Sequence, residues 1–131
     1  MRKTILLCGV FTLDVLAGWS HNVPFITSDN GQYAAVFSYE HGVRTISFRT
    51  VRVDCVSSIE FLSSYTVKIN GRKIKNEFIC VKDYLVFRPG TEGRDYIANQ
   101  FKRKNRVMLE LNGKQVATFD ANGFTKFWST T

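Results

Sequence analysis

The sequence predicts a mostly β fold: a small antiparallel β-sandwich or barrel of about seven to eight short strands, with one short helix at about 95–104. Three observations carry this. Runs of strand-forming residues are punctuated by turn signals roughly every eight to twelve residues. Two Asn-Gly pairs, Asn70-Gly71 and Asn112-Gly113, are flanked by residues suited to strands. Such a pair favours the positive φ at both central positions that a two-residue type I′ hairpin turn requires. Only one segment pairs a helical spacing of apolar residues with charges placed to suit a helix dipole.

The elements follow in order. His21 to Ser28 reads as an irregular lead-in interrupted by Pro24, and Asp29-Asn30-Gly31 as a turn. Tyr33 to Tyr39 is a first strand, followed by the short turn Glu40-His41-Gly42. Val43 to Val53 is the clearest strand. Ile46 and Phe48 share one face, whereas Val51 and Val53 fall on the other, and this change of phase predicts a bulge near Arg49-Thr50. Cys55 to Ser64 is open between strand, loop and a single helical turn. Tyr65 to Ile69 and Arg72 to Ile74 form a hairpin about Asn70-Gly71. Glu77 to Val81 and Tyr84 to Phe87 are strands joined at Lys82-Asp83. Arg88 to Arg94, with Pro89 and two glycines, reads as a loop.

Asp95 to Lys104 is the expected helix. Ile97 and Phe101 are four apart and share a face. Asp95 lies at the favourable N-terminal end, and Lys102, Arg103 and Lys104 at the C-terminal end. Val107, Leu109 and Leu111 alternate along a further strand, which Gln115 to Phe119 joins through Asn112-Gly113. After a turn at Asn122-Gly123, the aromatic tail Phe124, Phe127 and Trp128 is expected to close the core. There is no internal repeat and no low-complexity tract.

The first twenty residues are expected to lie outside this fold. Arg2 and Lys3, the apolar run Thr4 to Leu13, and the small residues Ala17, Gly18 and Ser20 have the layout of a secretory signal peptide. Cleavage after Ala17 or Ser20 fits, and 21–131 is then a single β domain with no transmembrane span. Export to a bacterial periplasm or the exterior follows. Cleavage would remove Cys8 and leave Cys55 and Cys80, which an oxidising compartment would pair as a disulfide.

The chain has 18 Lys and Arg against 11 Asp and Glu, a net charge of +7. Removing the signal with Arg2, Lys3 and Asp14 leaves +6. Such a domain favours an acidic protein or a polyanion such as lipopolysaccharide, another envelope polymer or nucleic acid. Two basic clusters are candidate anion-binding residues: Lys102, Arg103, Lys104 and Arg106, and Lys68, Arg72, Lys73 and Lys75 around the first Asn-Gly turn. Solvated charge and protection of an edge strand are the plainer uses of the same residues.

Catalytic and cofactor signals are weak. His21 and His41 stand without a spaced Cys/His cluster, so neither a metal nor another cofactor is expected. Arg88 to Arg94 lacks the Lys-Ser/Thr of a phosphate-binding P-loop. A Cys–His site using Cys80 or Cys55 with His41 would need unpaired thiols. A glycosidase-like pair such as Glu60 with Glu77 rests on no pattern. The expected function is therefore a non-enzymatic exported binding module, with no catalytic residues assigned. The alternatives are a small exported inhibitor or immunity-type protein, and an enzyme built on one of those two pairs.

Overall fold

A computed structural model describes residues 18–20, 23–51 and 65–131. Among these residues the chain forms nine strands in two antiparallel sheets, with two short helices, the arrangement of a small β-sandwich. The first sheet has the order β1-β2-β3-β7-β6: Phe25–Thr27, Tyr33–Glu40, Val43–Val51, Tyr84–Pro89 and Asn76–Val81. The second has the order β5-β4-β8-β9: Arg72–Ile74, Val67–Ile69, Arg106–Leu111 and Lys114–Asp120. Helix α1 is Thr91–Arg103 and α2 is Phe124–Ser129. The chain changes sheet between β5 and β6 across one residue, Lys75.

Turn chemistry sets much of this register. Asn70 and Gly71 have φ of 48° and 84°, and Asn112 and Gly113 have 51° and 84°. Both pairs therefore make the two-residue turn expected of them, since only residues tolerant of positive φ can hold it. His41 and Gly42, at 54° and 80°, do the same between β2 and β3.

The inner faces meet in an aromatic core. Phe48 of β3 lies 5.3 Å from Phe119 of β9, centroid to centroid, and so joins the two sheets. Helix α1 packs against β3, β7 and β8, and buries Ile97, Ala98 and Phe101. The C-terminal aromatics do close the core: Phe124, Phe127 and Trp128 are all buried. Trp19 joins them, 5% exposed and within 5.5 Å of Phe101, Phe124 and Phe127, with its backbone N–H donating to the Asn122 carbonyl.

Several expectations need correction. No bulge interrupts β3: its pairing with β2 runs unbroken from Val43 opposite Glu40 to Thr50 opposite Tyr33. Val51 simply points to the outer face, where it is 61% exposed. The irregularity lies instead between Leu109 and Glu110, in the β8–β9 pair. The lead-in contributes β1, because Phe25, Ile26 and Thr27 follow Pro24 and pair with β2. The segment read as a loop from Arg88 to Arg94 is the end of β7 and the first turn of α1. The helix thus starts four residues earlier than Asp95, at Thr91, and α2 is a second helix. The expected Val53 strand end, Cys55, Glu60, His21 and residues 1–17 lie outside the described residues.

Gly93 gives the first turn of α1 the composition of a loop. It sits inside a helix because β5 passes too close for any side chain. A Cβ there would stand 2.6 Å from Ile74 Cγ2 and 3.2 Å from Pro89 Cβ. Gly93→Val is expected to lower stability by about 1–3 kcal/mol through overpacking. Urea unfolding measures this, and the loss should shrink in an Ile74→Ala background, which removes the obstructing methyl. Equal losses in both backgrounds would separate Gly93 from Ile74.

Candidate functional site

The close approach at Gly93 lays β5 along α1. Gly90 N–H donates to the Lys75 carbonyl at 3.2 Å, and Tyr96 Oη donates to the Ile69 carbonyl at 2.9 Å. Asn70 Nδ2 donates to Gln100 Oε1 at 2.8 Å, while Asn70 Oδ1 accepts from Met108 N–H at 2.8 Å. One turn residue therefore ties the hairpin tip both to the helix and to β8.

Two basic cavities lie at the ends of α1. The first, about 490 Å³, is lined by Arg72, Lys73 and Lys75 together with Gly90 to Gly93. Arg72 stacks its guanidinium 4.7 Å from the Tyr96 ring centroid, which fixes a long side chain that would otherwise sweep solvent. The helix N-cap is Gly90, which has no side chain to cap the first-turn N–H groups. Those donors have no intrahelical partner and carry the positive end of the helix dipole. Among the described residues, Glu92 is the one carboxylate lining the cavity.

The second cavity, about 350 Å³, lies between the end of α1 and α2. Lys102, Arg103, Lys104 and Lys126 line it, with Asp120. Arg103 follows Tyr96 and Gln100 at helical spacing, on the stripe that faces the β4–β5 turn. Lys102 instead reaches over Trp128, its Nζ 5.8 Å from the ring centroid.

Of the eight basic residues singled out in the sequence, six line these cavities. Lys68 lies outside both but stands directly opposite Lys73 on the outer face of the second sheet. Like charges so placed repel, and Glu110, opposite Lys68 on its other side, offsets part of this. Arg106 does not join its cluster. It turns to Asp29, 2.8 Å away, and both side chains are more than half exposed. Among the described residues none of the cavity cations has an ion-pair partner. Lys126 and the first turn of α1 escaped the sequence reading. The acidic Glu92 one residue after Thr91 was the available sign of a helix start.

The register also locates the alternative catalytic groups. Cys80 pairs with Leu85, which pairs with Thr50 on β3. His41 lies beyond Val43, at the other end of that strand. Seven residues of strand separate the two levels, roughly 23 Å at about 3.3 Å per residue. A Cys80–His41 pair is therefore not assembled. Glu77 lies 3.7 Å from Arg88, which also meets Glu40 at 3.3 Å. Among the described residues there is no group of three or more metal-ligating side chains, and no helix is long and apolar enough to cross a membrane.

Asn70→Gly keeps a turn that accepts positive φ but removes both side-chain bonds. It is expected to cost about 1–3 kcal/mol, two hydrogen bonds at about 0.5–1.5 each. Chemical denaturation measures the cost, and amide exchange at Met108 should quicken. Comparison with protein families, with curated proteins and with solved structures finds no match.

Proposed function

We propose that this chain is an exported, non-enzymatic binding module for an anionic polymer, held along α1 by the two basic cavities. The observation that carries the reading is that seven cations line cavities at the two ends of one helix, without ion-pair partners among the described residues. The thirteen-residue helix sets the two ends about 20 Å apart, at about 1.5 Å per residue. That spacing suits an extended polyanion better than a single small anion. Lipopolysaccharide, as a polymer of the cell envelope, fits the export reading.

Export rests on the signal-like first residues. The buried Trp19 favours cleavage after Ala17 over cleavage after Ser20, which would strip an aromatic ring from the core. The Cys55–Cys80 bridge belongs to the same reading. Its support is the cysteine count: loss of Cys8 with the signal would leave two cysteines in an oxidising compartment. No free thiol should be titratable in the denatured, unreduced mature protein, and replacing both cysteines by Ala should cost about 2–5 kcal/mol. Two titratable thiols would remove the bridge.

Salt tests the binding. Affinity for lipopolysaccharide should fall steeply with ionic strength as bound counterions are released. Changing Arg72, Lys73 and Lys75 together to Gln should lower the slope of log K against log salt by about 2–3, with little change in thermal stability because these side chains are exposed. The same change at Lys102, Arg103 and Lys104 should act alike. Arg106→Gln should leave the slope nearly unchanged, since Arg106 already faces Asp29. An inhibitor resting on buried apolar anchors would respond weakly to salt. Failure to bind at low salt would refute the polymer reading.

A further inference from the structure

A third cavity lies away from the basic helix, on the outer face of the first sheet, and it differs in kind. It encloses about 340 Å³, at the low end of small-molecule sites, roughly 300–1,000 Å³. Its walls include Phe25, Val36, Val51 and Tyr84. Phe25, Val51 and Tyr84 are large apolar or aromatic groups exposed by 44%, 61% and 39%. They come together because β1, β3 and β7 each present one on the same face: Phe25 stands opposite Val36, and Val51 opposite Tyr84.

One charge sits among them. Arg49 lies between Ala34 of β2 and Val86 of β7, its nearest cross-strand neighbours. The guanidinium lies 5.5 Å from the Tyr84 ring centroid. Its Nε is buried with no hydrogen-bond partner. Among the described residues, no carboxylate lines the cavity. By contrast Arg44, Arg88 and Arg106 each have oxygen partners. A buried, unpaired guanidinium N–H is costly, and such groups are rare unless something else satisfies them. An arginine fork matches a carboxylate in two parallel bonds.

We infer that the Arg49 cavity binds a small monocarboxylate with an apolar body, the carboxylate on the guanidinium and the apolar part against Phe25, Val51 and Tyr84. A single cation without a carboxylate partner among the described residues selects one negative charge, and the apolar walls select against a polyanion. The site is thus distinct from the basic cavities flanking α1 in both position and ligand class.

The probe is sodium octanoate, titrated below its micelle concentration and followed by amide shifts in NMR, with neutral octanamide as the control. Octanoate should move the amides of Ala34, Thr50, Val51 and Tyr84 saturably, and octanamide should bind at least tenfold more weakly. Arg49→Gln should weaken octanoate at least tenfold. Val51→Asp, at an exposed position that leaves the core untouched, should do the same by placing a negative charge at the rim. Four results would overturn the inference: no saturable shifts, equal binding of octanamide, octanoate binding by Val51→Asp at wild-type strength, or shifts at Arg72 and Lys104 instead. The last would assign octanoate to the basic cavities.

Discussion

Everything on the helical side of this protein depends on the absence of a side chain at residue 93. Helix α1 buries Ile97 and Phe101 while its first turn passes the edge strand β5 so closely that there is no room for a Cβ between Gly93 and Ile74. A glycine inside a helix costs about 1 kcal/mol relative to alanine. Here that cost is offset by packing that nothing larger would permit. Once α1 lies that close, Tyr96 reaches the Ile69 carbonyl and Gln100 reaches Asn70. The helix then has one angle and one register against the second sheet. The cations on β5 and on the last turn of α1 inherit that geometry.

What could be read in the sequence was what local chemistry dictates. Asn-Gly turns need positive φ wherever they occur, so the hairpins at residues 70 and 112 were legible without knowledge of their neighbours. Alternation in Val107 and Leu109 likewise reported a buried face, and both are fully buried. What was not legible depended on contacts distant in sequence. Gly93 looked like a loop residue because the reason for it is Ile74. Trp19 looked like the end of a signal because the reason for it is a ring cluster formed by Phe101, Phe124 and Phe127. Three-residue β1 has too few positions to show a period, and its existence rests on β2.

The misplaced bulge has a different origin. Inferring it assumed that a strand has one apolar face, so Val51 out of phase with Phe48 seemed to require a slip. The first sheet breaks the assumption. Its inner face carries Phe48 and Phe87, and its outer face carries Phe25, Val51, Val81 and Tyr84. A regular strand with apolar residues on both faces yields the same pattern as a bulged strand with one. The same holds for the site residues. Density alone grouped Arg106 with Lys104, but one step along β8 turns it toward Asp29. Clustering in sequence does not specify a face.

The two outer surfaces therefore handle charge in opposite ways. Around α1 the cations are numerous and exposed, so water screens their repulsion and each contributes little to folding. They can be dense because none is buried. At Arg49 the situation reverses. One cation lies partly covered by apolar residues, its Nε withheld from water, and the Tyr84 ring supplies only a weak electrostatic substitute. Solvent offsets the first arrangement at almost no cost to the fold. It has little access to the second, where a neighbouring group must do so. Arg44 illustrates how this sheet satisfies an arginine when it can: its guanidinium lies 4.3 Å from the Trp128 ring centroid and donates to both the Trp128 carbonyl and Thr131 Oγ1. Among the described residues, Arg49 has the ring but no oxygen on its Nε, and oxygen acceptors are what a carboxylate brings.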